Sequence, residues 1–408
     1  LILGLAKSVV KLNSSKGVGG VNYSGRRKGR AKAARGEFSR AGGRIPLLKP
    51  WLVKPEALVG DLRKVWASGR LSLGEYTGKL EDRARELFGV KEVVAIQSCT
   101  SGLILTMKAL GIGKKVVVPD YTFPATSHAA IWLGAEVVFC DVDLSDYTIS
   151  PEALAGINDP EVEAVLAVNI FGLPPKVDEI AGICAEKGWK LIFDSAQGIG
   201  GKYKGKSIGG NGAAEVFSMS PSKLVTSAEG GMVTTNDTAL ASELRELRNY
   251  GKGRGEAMEG VGLSARLSEL CAVLAWRNLG HLKELLAKRE RLEKKYRKAL
   301  AGIKGVAFQE WGPERKSGRN YFVVRITEEA GKSRDQAVSE LWEQGIECRR
   351  YFYPAVHEIP AYRGKYAADC PNAVVLSSQA MALPFYSTMT AKEQDLVIER
   401  FEGVMTGR

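Results

Sequence analysis

Between residues 93 and 218, short apolar runs alternate with helical stretches, and no other feature restricts this chain as much. Residues 93–96, 115–118, 135–142, 164–170, 190–194 and 214–218 read as buried strands. Helices are expected after Gly102 as far as Leu110, up to Leu133, from Pro151, and over 177–187, and further along a charged helix over 270–300, broken near Gly280, and strands over 322–326 and 346–353. Strands joined through a helix run parallel, because a crossover of that length returns the chain to the same end of the sheet. The expected fold class is therefore α/β with a mostly parallel central sheet. Ligands of such sheets gather beyond the carboxyl ends of the strands.

Two of those ends carry polar groups. The run Leu191-Ile192-Phe193 stops at Asp194, and residues 214–218 stop at Ser218, with Lys223 five residues further on in a turn that holds Ser220, Pro221 and Ser222. Singly these are ordinary: a loop lysine is usually solvated, and an aspartate at a strand end is often a cap. Together they match the needs of pyridoxal phosphate, which requires an amine for its aldehyde carbon, a carboxylate to keep its ring nitrogen protonated, and hydroxyl and N–H donors for its phosphate. The same stretch contains a rival. Residues 200–207, GGKYKGKS, satisfy the P-loop pattern G-x-x-x-x-G-K-[ST]. A P-loop needs a strand entering its first glycine and a helix starting at its Lys-Ser. Here the strand ends six residues early and Ile208-Gly209-Gly210-Asn211-Gly212 follows, so an ATPase is not expected.

The order DSAQ (194–197), YKG (203–205), Phe217-Ser218, Lys223 and EGG (229–231) resembles the DegT/DnrJ/StrS family of sugar aminotransferases. Further elements extend the resemblance over residues 45 to 405. The family's S-x-T-[AS] falls on Ser98, Thr100 and Ser101, and its YTF-x-AT loop on residues 121–126. Its G-x-N-x-[RK]-M-S-E falls on residues 262–269, with Ser264 in place of the asparagine. The resemblance implies a fold type I PLP enzyme with a large domain over 45–290 and a smaller C-terminal α+β domain over 291–408. It implies that Lys223 and Asp194 are catalytic, that Thr100, Ser101 and Ser218 hold the cofactor phosphate, that Phe123 stacks on its ring and that Gln197 bonds its phenolic oxygen. Cys99 reads as a small packed residue beside them, and His357 as a candidate to face the substrate. The implied reaction moves an amino group from an amino acid, glutamate by analogy, to a keto sugar nucleotide. The implied working unit is a homodimer with shared active sites, the 262–269 element crossing between subunits. An inosose aminotransferase and an inactive regulatory protein of the same fold are the alternatives, and Lys223 argues against the dehydration run by some relatives that carry histidine at the lysine position.

Charge and cysteine narrow the setting. Residues 1–44 hold eleven Lys or Arg and one Glu, so this basic leader carries most of the net charge of +12. With few large apolar residues it is expected to be disordered, and the body has no excess of charge that would mark a specific nucleic-acid binder. The six cysteines have no close spacing and there are three histidines, so neither a zinc site nor a disulfide framework is expected, and scattered thiols suit a reducing cytoplasm. No run of 18 apolar residues suggests a membrane span, and the opening residues lack a signal-peptide cleavage site.

Overall fold

Apolar residues on both faces of the expected strands require layers on both sides, and the helices provide them. The computed structural model describes residues 44–253, 255, 257–366 and 368–407, so the basic leader lies outside the described residues except for Arg44. Helices α1 (Glu56–Ser68) and α2 (Glu75–Phe88) lead into β1 (Glu92–Ile96), α3 (Cys99–Ala109), β2 (Lys115–Pro119), α4 (Ala125–Trp132), β3 (Glu136–Cys140), α5 (Pro151–Gly156) and β4 (Val162–Val168). Then come α6 (Val177–Lys187), β5 (Lys190–Ser195), the short β6 (Lys202–Tyr203) and β7 (Lys206–Ser207), β8 (Ala214–Ser218), β9 (Gly231–Thr235) and α7 (Thr238–Leu247). The remainder is α8 (Glu269–Leu279), α9 (Leu282–Leu300), β10 (Val306–Phe308), β11 (Arg315–Lys316), β12 (Phe322–Ile326), α10 (Arg334–Glu343), α11 (Pro371–Gln379), β13 (Ala380–Leu383) and α12 (Ala391–Thr406).

Seven strands form the central sheet in the order β1-β9-β8-β5-β4-β2-β3. All neighbouring pairs are parallel except those made by β9, which runs against both β1 and β8. The expected fold class therefore holds. A close approach seats α3 on this sheet: a Cβ at Gly102 would lie 2.3 Å from Ile96 Cδ1 and 2.6 Å from Val216 Cγ1. A second sheet, β10-β12-β13, has its own buried cluster with Tyr296, Phe322 and Phe401. The division expected at residue 290 falls inside α9, whose Leu285 packs with the first sheet's helices and whose Tyr296 packs with the second sheet.

Several local expectations shift. The strand expected over 164–170 runs from Val162 to Val168, and Ile170 enters a 3-10 turn. The strand expected over 346–353 is absent: only single bridges join Ile346 to Ile45 and Arg349 to Ala382. Side chains occupy its backbone instead, since Cys348 O accepts from Trp342 Nε1 at 2.8 Å and Tyr351 O accepts from the Tyr121 hydroxyl. The charged helix expected over 270–300 is two helices, α8 and α9, parted near Gly280 as expected.

The P-loop look-alike is a hairpin. Its Lys-Ser pair is β7, and no helix follows. The amides of Gly209 and Asn211 do hold an anion, but it is the protein's own: the Glu215 Oε1 accepts from them at 2.6 and 3.0 Å, and from Asn211 Nδ2 at 2.8 Å. Gly212 closes the loop at φ +62°, where a Cβ would strike Leu191 O at 2.4 Å.

Candidate active site

The carboxyl ends of β5 and β8, the start of α3 and the loop after β2 enclose a cavity of about 420 Å³. Ser98 caps α3 in extended conformation, accepting from the Ser101 amide at 3.1 Å. By helix geometry the amides of Cys99 and Thr100 have no partner within α3, so they are free to face an anion, and the helix dipole favours one there. Ser98, Thr100, Ser218, Ser220 and Ser222 all line the cavity.

Asp194, the penultimate residue of β5, is buried. Its Oδ2 accepts from Thr126 Oγ1 at 2.8 Å and its Oδ1 from the Ala196 amide at 3.0 Å. Burial pushes its carboxyl above the usual carboxylate range, against the pull of these hydrogen bonds and of the Lys223 charge. Lys223 lines the same cavity on the turn after β8, its backbone amide bonded to Ser220 O at 3.0 Å. Leu224 N donates to Asn320 Oδ1 at 2.9 Å, which fixes the turn against the C-terminal part of the chain. Burial lowers the Lys223 amine below the ordinary lysine range, opposed by Cys99 and Asp194. Among the described residues, the Lys223 amine makes no ion pair with Asp194, so amine and carboxylate face the same space without closing it.

The other expected residues fall around these two. Gln197 lines the cavity with its Oε1 accepting from the Phe171 amide at 2.6 Å, which leaves its NH2 to donate elsewhere. Phe123, 59% exposed, sits at the edge with its ring centroid 5.9 Å from that of Phe352. Cys99 is packed: its thiol lies 3.4 Å from Val216 O and 3.7 Å from Asp194 Oδ1, and burial drives it well above the ordinary thiol range. Ser101 stands behind the wall, donating its hydroxyl to Ser98 O at 2.9 Å. His357 lies away from the cavity, its amide and Nδ1 on Asp120 at 2.8 and 2.5 Å, and so takes the structural role. Ser264 is exposed outside the cavity, 3.3 Å from Arg266 Nη2.

A model of the DegT/DnrJ/EryC1/StrS aminotransferase family matches residues 54–402. The chain belongs to that family. This aminotransferase is 29% identical over 350 residues to the dTDP-4-amino-4,6-dideoxy-D-glucose transaminase of Escherichia coli, covering 85% of this chain and 94% of the relative. It superimposes on DesI, solved in the presence of its TDP-sugar product, with a TM-score of 0.86 and 30% identity over 90% of this chain and 95% of DesI. A family aminotransferase from Brucella abortus gives a TM-score of 0.81 and 29% identity over 85% of this chain and 95% of that one.

Tyr321, Arg349, Tyr351 and Phe352 of the C-terminal part also line the wall, and no motif marks them. Thr126 and Ser98 enter the sequence only as letters of the YTF-x-AT and S-x-T-[AS] motifs. A hydroxyl one turn after Thr122 at the start of α4 is the signal that could have marked Thr126.

Proposed function

We propose that this aminotransferase uses pyridoxal phosphate to move an amino group from an amino acid to a keto sugar nucleotide. A half-buried amine and a buried carboxylate, Lys223 and Asp194, face one cavity without pairing, and that arrangement carries the reading. Two such charges left apart are unfavourable unless a third group meets both. A protonated ring nitrogen suits Asp194, and an aldehyde carbon suits the Lys223 amine, so the donor set fits the cofactor. Ser218, Ser98 and Thr100 with the free amides of α3 fit its phosphate, and the NH2 of Gln197 fits its phenolic oxygen.

When bound, the group supplies an electron-withdrawing ring beside the carbon that loses or gains a proton. Lys223, its amine kept neutral more easily by burial, would take that proton and return it to the neighbouring carbon. Asp194 would hold the charge of the ring nitrogen, and Thr126 and the Ala196 amide hold Asp194 still. The TDP-sugar relatives support a keto sugar nucleotide as acceptor, and glutamate as donor follows by analogy. We also propose a homodimer: Tyr250, Met258, Val261, Leu263 and Leu270 are exposed large apolar residues along the segment leading into and past the 262–269 element.

Borohydride reduction of the purified protein, followed by peptide mass mapping, should find a pyridoxyl group on Lys223. An adduct on another lysine, or none from a protein that still transaminates, would overturn this assignment.

A further inference from the structure

Arg289 of α9 is 3% exposed, and no ion pair reaches it among the described residues. Glu293, one turn along the same helix, goes to Arg297 and Arg319 at 2.8 and 2.7 Å. The Arg289 guanidinium has only neutral acceptors: Phe385 O at 2.7 Å, Asn320 O at 3.1 Å, Arg319 O at 3.4 Å and, for Nε, the Ser387 hydroxyl at 3.0 Å. A charge buried among neutral groups is unfavourable, and burial pulls this one down to about 9. Ser387, itself 5% exposed, accepts with its oxygen, and its own proton has no acceptor among the described residues. It lines a pocket of about 440 Å³ between α9 and the start of α12 that shares no residue with the Lys223 cavity. Lys288, Arg291 and Lys295 stand about one turn apart along that wall of α9. Arg291 has no ion-pair partner among the described residues, while Lys288 and Lys295 meet the exposed Glu284 and Asp395 at 2.8 and 2.5 Å. Surface pairs of that kind are weak and yield to a doubly charged ligand.

We propose that this pocket binds a small phosphate monoester, its phosphate held by Arg291, Lys288, Lys295 and the Ser387 hydroxyl. A phosphate dianion supplies, one hydroxyl away, the counter-charge that Arg289 lacks. Its oxygens accept from the fork of Arg291 and from both amines. Gln394, 2% exposed in the same pocket, favours an ester over the free ion. Its Nε2 donates to Leu292 O at 2.7 Å, which leaves Oε1 to accept from a hydroxyl next to the phosphate. Leu292 and Met389 give the carbon part of such a ligand an apolar wall.

The test uses the full chain loaded with cofactor, reduced with borohydride and freed of excess, so that the phosphate cradle at α3 is filled. Calorimetry with glycerol 3-phosphate, inorganic phosphate and sulfate reads binding. The native protein should take up one equivalent of the ester, about threefold or more tighter than phosphate and on the order of tenfold tighter than sulfate. Arg291 is exposed and unpaired, so Arg291→Gln leaves the fold alone and should weaken the ester on the order of tenfold. Adding Lys288→Gln should bring the loss to about 100-fold, and Ser387→Ala alone should cost about fivefold. Hydrogen exchange over residues 385–394 should slow when the ester binds native protein and not when it is added to Arg291→Gln. Affinity unchanged in Arg291→Gln and in the double variant, or an ester bound no more tightly than phosphate or sulfate, would mark an adventitious ion only and overturn the proposal. Failure of the cofactor reading shows separately, as a protein that keeps no pyridoxyl group. Ester bound in its unfilled Lys223 cavity would then be indifferent to Arg291→Gln.

Discussion

Asp194 is where function and stability pull apart. The folded protein raises its pKa through burial, so the folded state binds its proton more tightly than the unfolded state does. In cofactor-free protein, stability is then lost as pH rises from the ordinary value of 3.8 through the raised one. Asp194→Asn removes that penalty, and its amide can keep both contacts, accepting from Ala196 and donating to the Thr126 hydroxyl. Thermal unfolding of the cofactor-free variant should therefore match native near pH 4 and exceed it increasingly toward pH 7. Its turnover should fall by about 100-fold or more, because the ring nitrogen loses its charged partner. A variant no more stable at pH 7 than native would show that burial of this carboxylate is not a strain on the fold. Lys223 shows the opposite sign: burial lowers its pKa, so its contribution is unfavourable at low pH and eases as pH rises through the lowered value.

At the scale of elements, residues 262–269 do two jobs. Glu269 opens α8, and its carboxylate accepts from the amides of Gly74, Tyr76 and Thr77 at 2.9, 2.7 and 2.9 Å, capping α2 from nearly two hundred residues away. Ahead of it, Arg266 donates to Asn249 Oδ1 at 2.9 Å and stands over the Tyr250 ring. If the element reaches the partner's site, each site joins one subunit's Lys223 to the other's Arg266. Lys223→Ala and Arg266→Ala, each inactive alone, should then recover about a quarter of native activity when mixed, through the dimers that hold one intact site. A mixture as inactive as its parts would contradict shared sites. Elements such as these were legible in uneven measure. Strands 214–218 and 322–326 and the helix over 177–187 emerged with their bounds, because apolar runs and a glycine stop marked them. The β9 strand at 231–235 was missed, its two threonines and leading glycines reading as loop until β1 and β8 close around it. The expected strand at 346–353 had the β-branched and aromatic content but lost its backbone groups to the side chains of Trp342 and Tyr121, which no local pattern reveals.

Across the whole molecule, the cavity is made by segments from residue 98 to residue 352, and the motifs stand on only part of its wall. Asp194, Ser218, Lys223, Gln197, Thr100 and Phe123 were named from the sequence because they occur at strand ends and in short ordered motifs, and all six line the cavity. Ser101 was named too, yet its hydroxyl turns back to Ser98, a choice of rotamer that spacing does not determine. Tyr321, Arg349 and Tyr351 lie more than a hundred residues beyond β5 and reach the site only when the second sheet packs beside the first. In the proposed reaction these groups together run two separable half-reactions through Lys223. The direct measurement follows the cofactor's absorbance: glutamate alone should convert the bound cofactor to its amine form, and a keto sugar nucleotide, tried from a panel of 3-keto and 4-keto compounds with scyllo-inosose as control, should return it to the aldehyde form. Lys223→Ala should hold the cofactor and lose both conversions, by about 100-fold or more. Return with the inosose alone, or with no ketone despite conversion by glutamate, would contradict a sugar-nucleotide aminotransferase.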